Sequence, residues 1–359
     1  MRDTDQLLKK SGQRPPPLLS QRSFTQNLLA LSPKLVSAPA SFVNYDADEW
    51  LPTIRAAVSD LPQFVLKPWI ILTVFTLVLN VYVDVFFKKP PWWVTMPPFA
   101  HTVVGGALTF LMVFRTNTAY SRWWEARLMW GQITIGSRNI AAQSGSMMHD
   151  QPRLELLSLV VAFPVALKNS LRDEPTLPSQ IAGAESIAGD GARVVSPSLR
   201  ALCAAPSAPV ILVEAMSKVI RAGLRNEDGL ASTSYLHLAE EMRSLMAAAT
   251  ACERIKTSPM PLGYVAALRA FLVLWLSTLP LTMVGPYGHG SVPFVSLIGF
   301  LFLNLENVAL EIEQPFGHDA NDLPLEVYCA GIERALTNVV RGAPSEPGST
   351  AEESDVELA

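Results

Sequence analysis

The chain has 359 residues, 49% of them hydrophobic and 17% charged, with a mean hydropathy of +0.25. Soluble domains average about 25% charged residues, so this chain is poor in charge, and its formal net charge of −4 gives no ground for a nucleic-acid partner. Three cysteines (Cys203, Cys252, Cys329), far apart and without a CxxC pair, argue against a disulfide framework or a thiolate zinc site, and the five histidines are scattered.

Residues 6–45 lack Asp and Glu and carry Lys9, Lys10, Arg14, Arg22 and Lys34 among many Ser, Leu and Pro. Residues 1–60 therefore read as an N-terminal tail, either an organelle targeting segment or a basic tail lying near anionic lipid. The run "KPWIILTVFTLVLNVYVDVFF" (67–87) is long enough to cross a hydrocarbon core of about 30 Å. The loop "KKPPWWVTMPP" follows, with Trp92 and Trp93 where interfacial aromatics belong. A second, shorter apolar run covers 99–114. No proline occurs between Pro98 and Pro152, so this helix is expected to leave the membrane and continue beyond it.

The stretch 154–171 is apolar but interrupted by Glu155, Pro164 and Lys168. It reads as a buried helix outside the membrane, with a further span as the alternative. Residues 173–209, rich in Pro, Ala, Gly and Ser, read as a surface loop, and 211–256 as amphipathic helix. Two more spans, 264–287 and 292–310, flank "GHGS" and form a hairpin. The acidic, Pro/Ser-rich residues 341–359 read as a disordered tail. Four spans place both ends and the middle segment 115–262 on one side of the membrane. Arg115, Arg122, Arg127, Arg254 and Lys256 assign that side to the cytoplasm or its organellar equivalent.

The junction "FRTNTAYSRWWEAR" (114–127) puts charge and aromatic surface against the second span. Gly106, Phe110 and Phe114 recur every four residues and share a helix face; ordinary helix packing is the alternative role for the two phenylalanines. Arg115 and Arg122, seven apart, share another face, with interfacial snorkelling as their simplest role. Trp123, Trp124 and Trp130 offer area to lock the helix into its neighbours, and Glu125 needs a nearby arginine.

The motif "FRTNTAYSRWWEARLMWGQI…SRN" resembles the signature of the bestrophin family of anion channels, in particular its bacterial, fungal and plastid branch. "EIEQPFGHDANDLPL" (311–325) and "ACERIKTSPMPLGY" (251–264) match further family motifs in the same order. The resemblance covers roughly residues 60–340, and it implies an all-α membrane protein with a channel domain at 61–340. Four spans per subunit and a helical cytosolic or stromal part would assemble as a homopentamer around a central pore. By the same resemblance Gly106, Phe110 and Phe114 line a hydrophobic neck, with Gly106 where a bulky aliphatic is usual, and Leu236 marks a lower constriction. Arg115, Arg122, Trp123, Trp124, Glu125, Arg127, Pro315, Phe316 and Gly317 belong to the structural signature.

Animal bestrophins bind calcium in an acidic loop where this chain has Asp319 and Asp322, separated by Ala320 and Asn321. Two carboxylates fall short of the six to eight oxygens calcium takes, so a bracing role as helix cap is preferred and no cofactor is expected to be required. The function implied is passive transport of chloride or another small anion, bicarbonate included. The expected partners are that anion, the lipid bilayer and further copies of the chain. A cation-selective channel of the same fold is the first alternative. A membrane-bound enzyme built on Arg115, Glu125 and Asp319 is the second, and no nucleophile–base pair supports it. The location is a multi-pass position in the chloroplast thylakoid or in the plasma or another cellular membrane.

Overall fold

A computed structural model describes residues 62–87, 90–91, 95–188, 199–225 and 231–341. The expectations for the N-terminal tail, for Trp92 and Trp93 and for the acidic tail from 342 onward lie outside the described residues. Within them the chain is helical and no strand occurs.

Helix α1 covers Gln63–Phe87 and α2 runs without a break over Pro98–Met147. Pro98 opens α2 at its first position, where a missing N–H costs nothing, and no proline interrupts it afterwards. Its 50 residues extend about 75 Å at 1.5 Å per residue, more than twice the hydrocarbon thickness. The second apolar run is thus the first third of a longer rod. Met148 ends it in an extended conformation, bridged to Leu224, and α3 (Asp150–Arg172) turns back.

Four segments are long and apolar enough to cross a membrane, but they differ in what covers them. In α3, 89% of the apolar window is buried inside the protein, against 22% to 28% in the other three. Helix α3 is therefore the core of the extramembrane body, not a further span, and Glu155 and Lys168 on it are themselves buried. The last of the four segments is a hairpin of two helices, α8 (Leu262–Tyr287) and α9 (Ser291–Glu313). They turn at Gly288–Gly290, where Gly288 adopts a positive φ of 50° that favours glycine. Four lipid-facing helices result: α1, the start of α2, α8 and α9.

The region 173–209, expected to be loop, carries structure. It contains a 3-10 turn (Pro178–Gln180), α4 (Ala182–Ala188), α5 (Leu199–Ala204) and the start of α6 (Ala208–Gly223). Ala184, Ile187, Leu202 and Cys203 are buried and belong to the extramembrane core. Burial against that core overrides the weak propensity of a Pro/Gly/Ser-rich segment. The helix expected over 211–256 is two, α6 and α7 (Ala231–Thr257). After α9, a short loop leads to α10 (Leu325–Arg341).

Two large hydrophobic cores result, beside a small contact of Val83 with Val284. One joins α1, α2, α8 and α9 through Leu72, Leu108, Met112, Leu272, Trp275 and Val295. The other is centred on α3 and gathers the lower part of α2 with α6, α7 and α10. Helix α2 threads both and ties the membrane layer to the body beneath it.

Candidate pore helix and its anchors

Small residues let α2 pack closely on one side. A Cβ at Gly105 would lie 2.8 Å from the Trp275 ring, so glycine is required there for the close approach of α8. Trp275 stacks on His101 with centroids 4.8 Å apart, and its indole N–H donates to the His101 carbonyl at 3.1 Å. Leu108, Met112, Arg115, Ala119, Ala126 and Trp130 continue this inward face.

The opposite face is open. Gly106, Phe110, Phe114, Asn117, Ser121, Trp124, Leu128 and Ile135 form an exposed stripe along α2. A Cβ at Gly106 would meet nothing within 4 Å. Phe110 is 63% and Phe114 50% exposed, so neither packs into the protomer core. Their rings touch each other edge to face, centroids 4.6 Å apart. The helix-packing alternative for these phenylalanines is not what the protomer contains. Leu236 is likewise exposed, on α7.

The arginines do not snorkel. Arg115 is wholly buried, with Nη2 2.7 Å from a Glu313 oxygen and Nε 3.5 Å from Glu306. Paired with two carboxylates, it is compensated locally and is not a free positive charge beside Phe114. Arg122 donates to the backbone carbonyls of Glu313 (3.2 Å), Ser258 (2.6 Å) and Ile255 (2.5 Å). It thereby satisfies carbonyls that the ends of α7 and α9 leave without intrahelical donors. Glu125 pairs with Arg254, and the Arg127 guanidinium lies 5.0 Å above the Tyr328 ring. The indole N–H of Trp123 donates to the Asn321 carbonyl at 2.9 Å, and Trp130 is fully buried. Trp124 differs from expectation: it is half exposed on the open stripe and does not lock α2 into the protomer.

Sequence reasoning passed over Glu306 and Arg269. Glu306 sits in the otherwise apolar α9, is buried, and accepts from Arg269 of α8 at 2.8 Å as well as facing Arg115. A lone carboxylate within an apolar span was the available signal, since such a group needs a partner.

The 314–324 loop closes on itself. The Leu323 N–H donates to the Pro315 carbonyl at 2.9 Å, Phe316 is buried, and a Cβ at Gly317 would meet Asp322 Oδ2 at 2.8 Å. That same Asp322 oxygen accepts the Asp319 N–H at 2.7 Å, so Asp322 braces the turn rather than capping α10. Burial pushes the Asp322 carboxyl up to about 6, only partly opposed by the Asp319 N–H. Asn321 donates to Glu311 and His318 contacts Glu174. Among the described residues no group of three or more His, Cys, Asp or Glu side chains converges. One oxygen of Asp322 is thus committed to the turn, and two carboxylates alone fall short of the six to eight oxygens that calcium takes.

Comparison with known proteins bears on what this arrangement is. The family described as "Bacterial/Fungal Bestrophin protein" matches residues 43–338. The chain belongs to the bacterial/fungal bestrophin family. This bestrophin is 32% identical over 70% of its length to a voltage-dependent anion channel-forming protein of Nostoc sp., covering 80% of that relative. It is 30% identical to the protein of the same description from Escherichia coli K12, over 68% of this chain and 78% of the relative. Its fold is that of a bacterial bestrophin homologue from Klebsiella pneumoniae, with a TM-score of 0.66 at 23% identity. That match covers 77% of this chain and 98% of the other. It is a membrane protein of a channel family.

Proposed function

We propose that this bestrophin conducts small anions passively through a homopentameric pore lined by α2. The observation that carries the reading is the open stripe of α2. Two phenylalanines exposed below an open glycine have no partner in the protomer, and copies around an axis would make them a ring. Such a ring gates by dewetting, and ring edges turned inward present positive quadrupole edges to a partly dehydrated anion. The names of the relatives from Nostoc and Escherichia coli, anion channel-forming proteins, support the choice of ion. Leu236, exposed on α7, would form a second narrowing below, in the extramembrane body. The basic residues where α2 leaves the apolar run and in the last turn of α7 favour the cytoplasmic side, or the stromal side in a plastid, for that body.

The enzyme alternative would need Arg115, Glu125 and Asp319 around one substrate. Arg115 is taken by Glu306 and Glu313, Glu125 by Arg254, and the Asp319 backbone by the turn. Calcium dependence is not part of the proposal, because Asp322 is committed within the loop: current is expected to persist with chelator on both sides. The deciding experiment is the reversal potential of purified protein in a planar bilayer under a KCl gradient. A potential near the chloride equilibrium value is expected; one near the potassium value would replace the anion channel with a cation channel, and absence of current would reject both.

A further inference from the structure

Four charged side chains from three helices meet around Arg115, the residue that follows Phe114. Arg115 comes from α2, Arg269 from α8, and Glu306 and Glu313 from α9. Arg115 faces both carboxylates, Arg269 holds the second Glu306 oxygen, and the second Glu313 oxygen accepts the Met260 N–H at 3.0 Å. Arg115 Nη1 also contacts the Met260 sulfur, at the joint between α7 and α8. Two cations balance two carboxylates: Arg115, Glu306 and Glu313 are buried, and Arg269 reaches them from a half-exposed position. Arg122, two helical turns further along α2, grips the same two partners, the end of α9 and the α7–α8 joint, through their carbonyls.

The arrangement is asymmetric in a telling way. Arg122 makes close donations to backbone groups. Arg115 Nε and Nη2 lie near carboxylate oxygens without an aligned hydrogen bond to either. Arg115 is therefore held by charge, between two buried carboxylates at 2.7 and 3.5 Å. Phe114 precedes Arg115 by one residue, about 100° around the helix. Any rotation or shift of this turn that Arg115 permits is delivered directly to the Phe114 ring.

We propose that Arg115 is a positioning residue for the neck: held by Glu313 and Glu306, it fixes α2 in the rotation that presents Phe110 and Phe114 on the open face, and loosening the cluster favours the conducting state. The proposal rests on the neck reading above. Arg122 would hold the turns that follow through backbone carbonyls, and Arg115 the turn that carries Phe114.

The test is single-channel recording on the full chain in planar bilayers. Glu313→Gln keeps the shape of the side chain and its acceptor for the Met260 N–H while removing the charge. It is expected to raise open probability about tenfold, with unitary conductance and reversal potential unchanged. In a Phe110→Ala/Phe114→Ala background the same substitution should add nothing, because no ring remains to be positioned. Arg115→Lys, which retains the charge, should stay closer to wild type than Arg115→Gln. An unchanged open probability in Glu313→Gln, or an equal rise in both backgrounds, overturns the proposal. Should Glu313→Gln fail to assemble by native mass spectrometry, Glu306→Gln must show the same pattern, and wild-type behaviour there overturns it equally. Wild-type protein that carries no current rejects the channel reading itself, whereas a conducting wild type with indifferent variants rejects only the role of Arg115.

Discussion

Phe110 and Phe114 touch mainly each other, edge to face, and are largely exposed in the protomer. Truncating a buried phenylalanine costs about 3–5 kcal/mol, but these two stand to lose little more than their mutual contact, about 1 kcal/mol. The Phe110→Ala/Phe114→Ala protein should therefore melt close to wild type in detergent while passing more current in a bilayer. A large drop in melting temperature without added conductance would mean that the rings are structural. Asp322 offers a second prediction. Its carboxyl is raised in the folded protein to about 6, above the unfolded value of about 3.9, so the folded state binds the proton more tightly. The associated stability is fully present below about pH 4 and is lost as pH rises through 6. Asp322→Asn, which keeps an acceptor for the Asp319 N–H, should flatten this dependence. Thermal melts at pH 5 and pH 7.5 should differ between the two proteins by about 1 kcal/mol, allowing for solvent screening of a partly exposed group.

Adjacent glycines on α2 have opposite roles at the scale of the helix. Gly105 is pressed by Trp275 and Gly106 faces open space. Gly105→Ala should push the indole away, disturb its reciprocal contacts with His101 and cost about 1–3 kcal/mol. Gly106→Ala should be neutral or stabilise the helix by up to about 1 kcal/mol, since alanine is the better helix former. Melting curves of the two single variants, run side by side, decide whether the register of α2 is as described; equal losses would contradict it. The same helix shows how far sequence reasoning reached. The 50-residue rod was legible from the absence of proline and from the apolar run passing into a charged one. The hidden helices in 173–209 were not, because Ala184, Ile187 and Leu202 become helical core only once α3 stands beside them. Nor was the separation of α3 from the true spans certain from hydropathy, since a helix buried in protein and one buried in lipid look alike in composition.

For the whole molecule, the exposed face of α2 asks for partners. Around a five-fold axis it would be shared between the pore and the neighbouring subunits. The purified protein is expected to be a pentamer by native mass spectrometry; monomers or dimers alone would leave the stripe unexplained and remove the basis for a neck. Sequence by itself determined the class of the protein: the apolar runs, the charged exit of the second one, and the ordered motifs that mark a bestrophin. It also determined which residues share a face on α2, because helical periodicity is local. Tertiary structure decided which of those faces is free. It turned Arg115 from an interfacial cation into a buried anchor and Arg122 into a half-buried one, paired Glu125 with Arg254, and brought Glu306 and Glu313 to Arg115 from almost two hundred residues away. Such pairings depend on the distance between helices packed through two separate cores, and distance between elements is not written in the spacing along the chain.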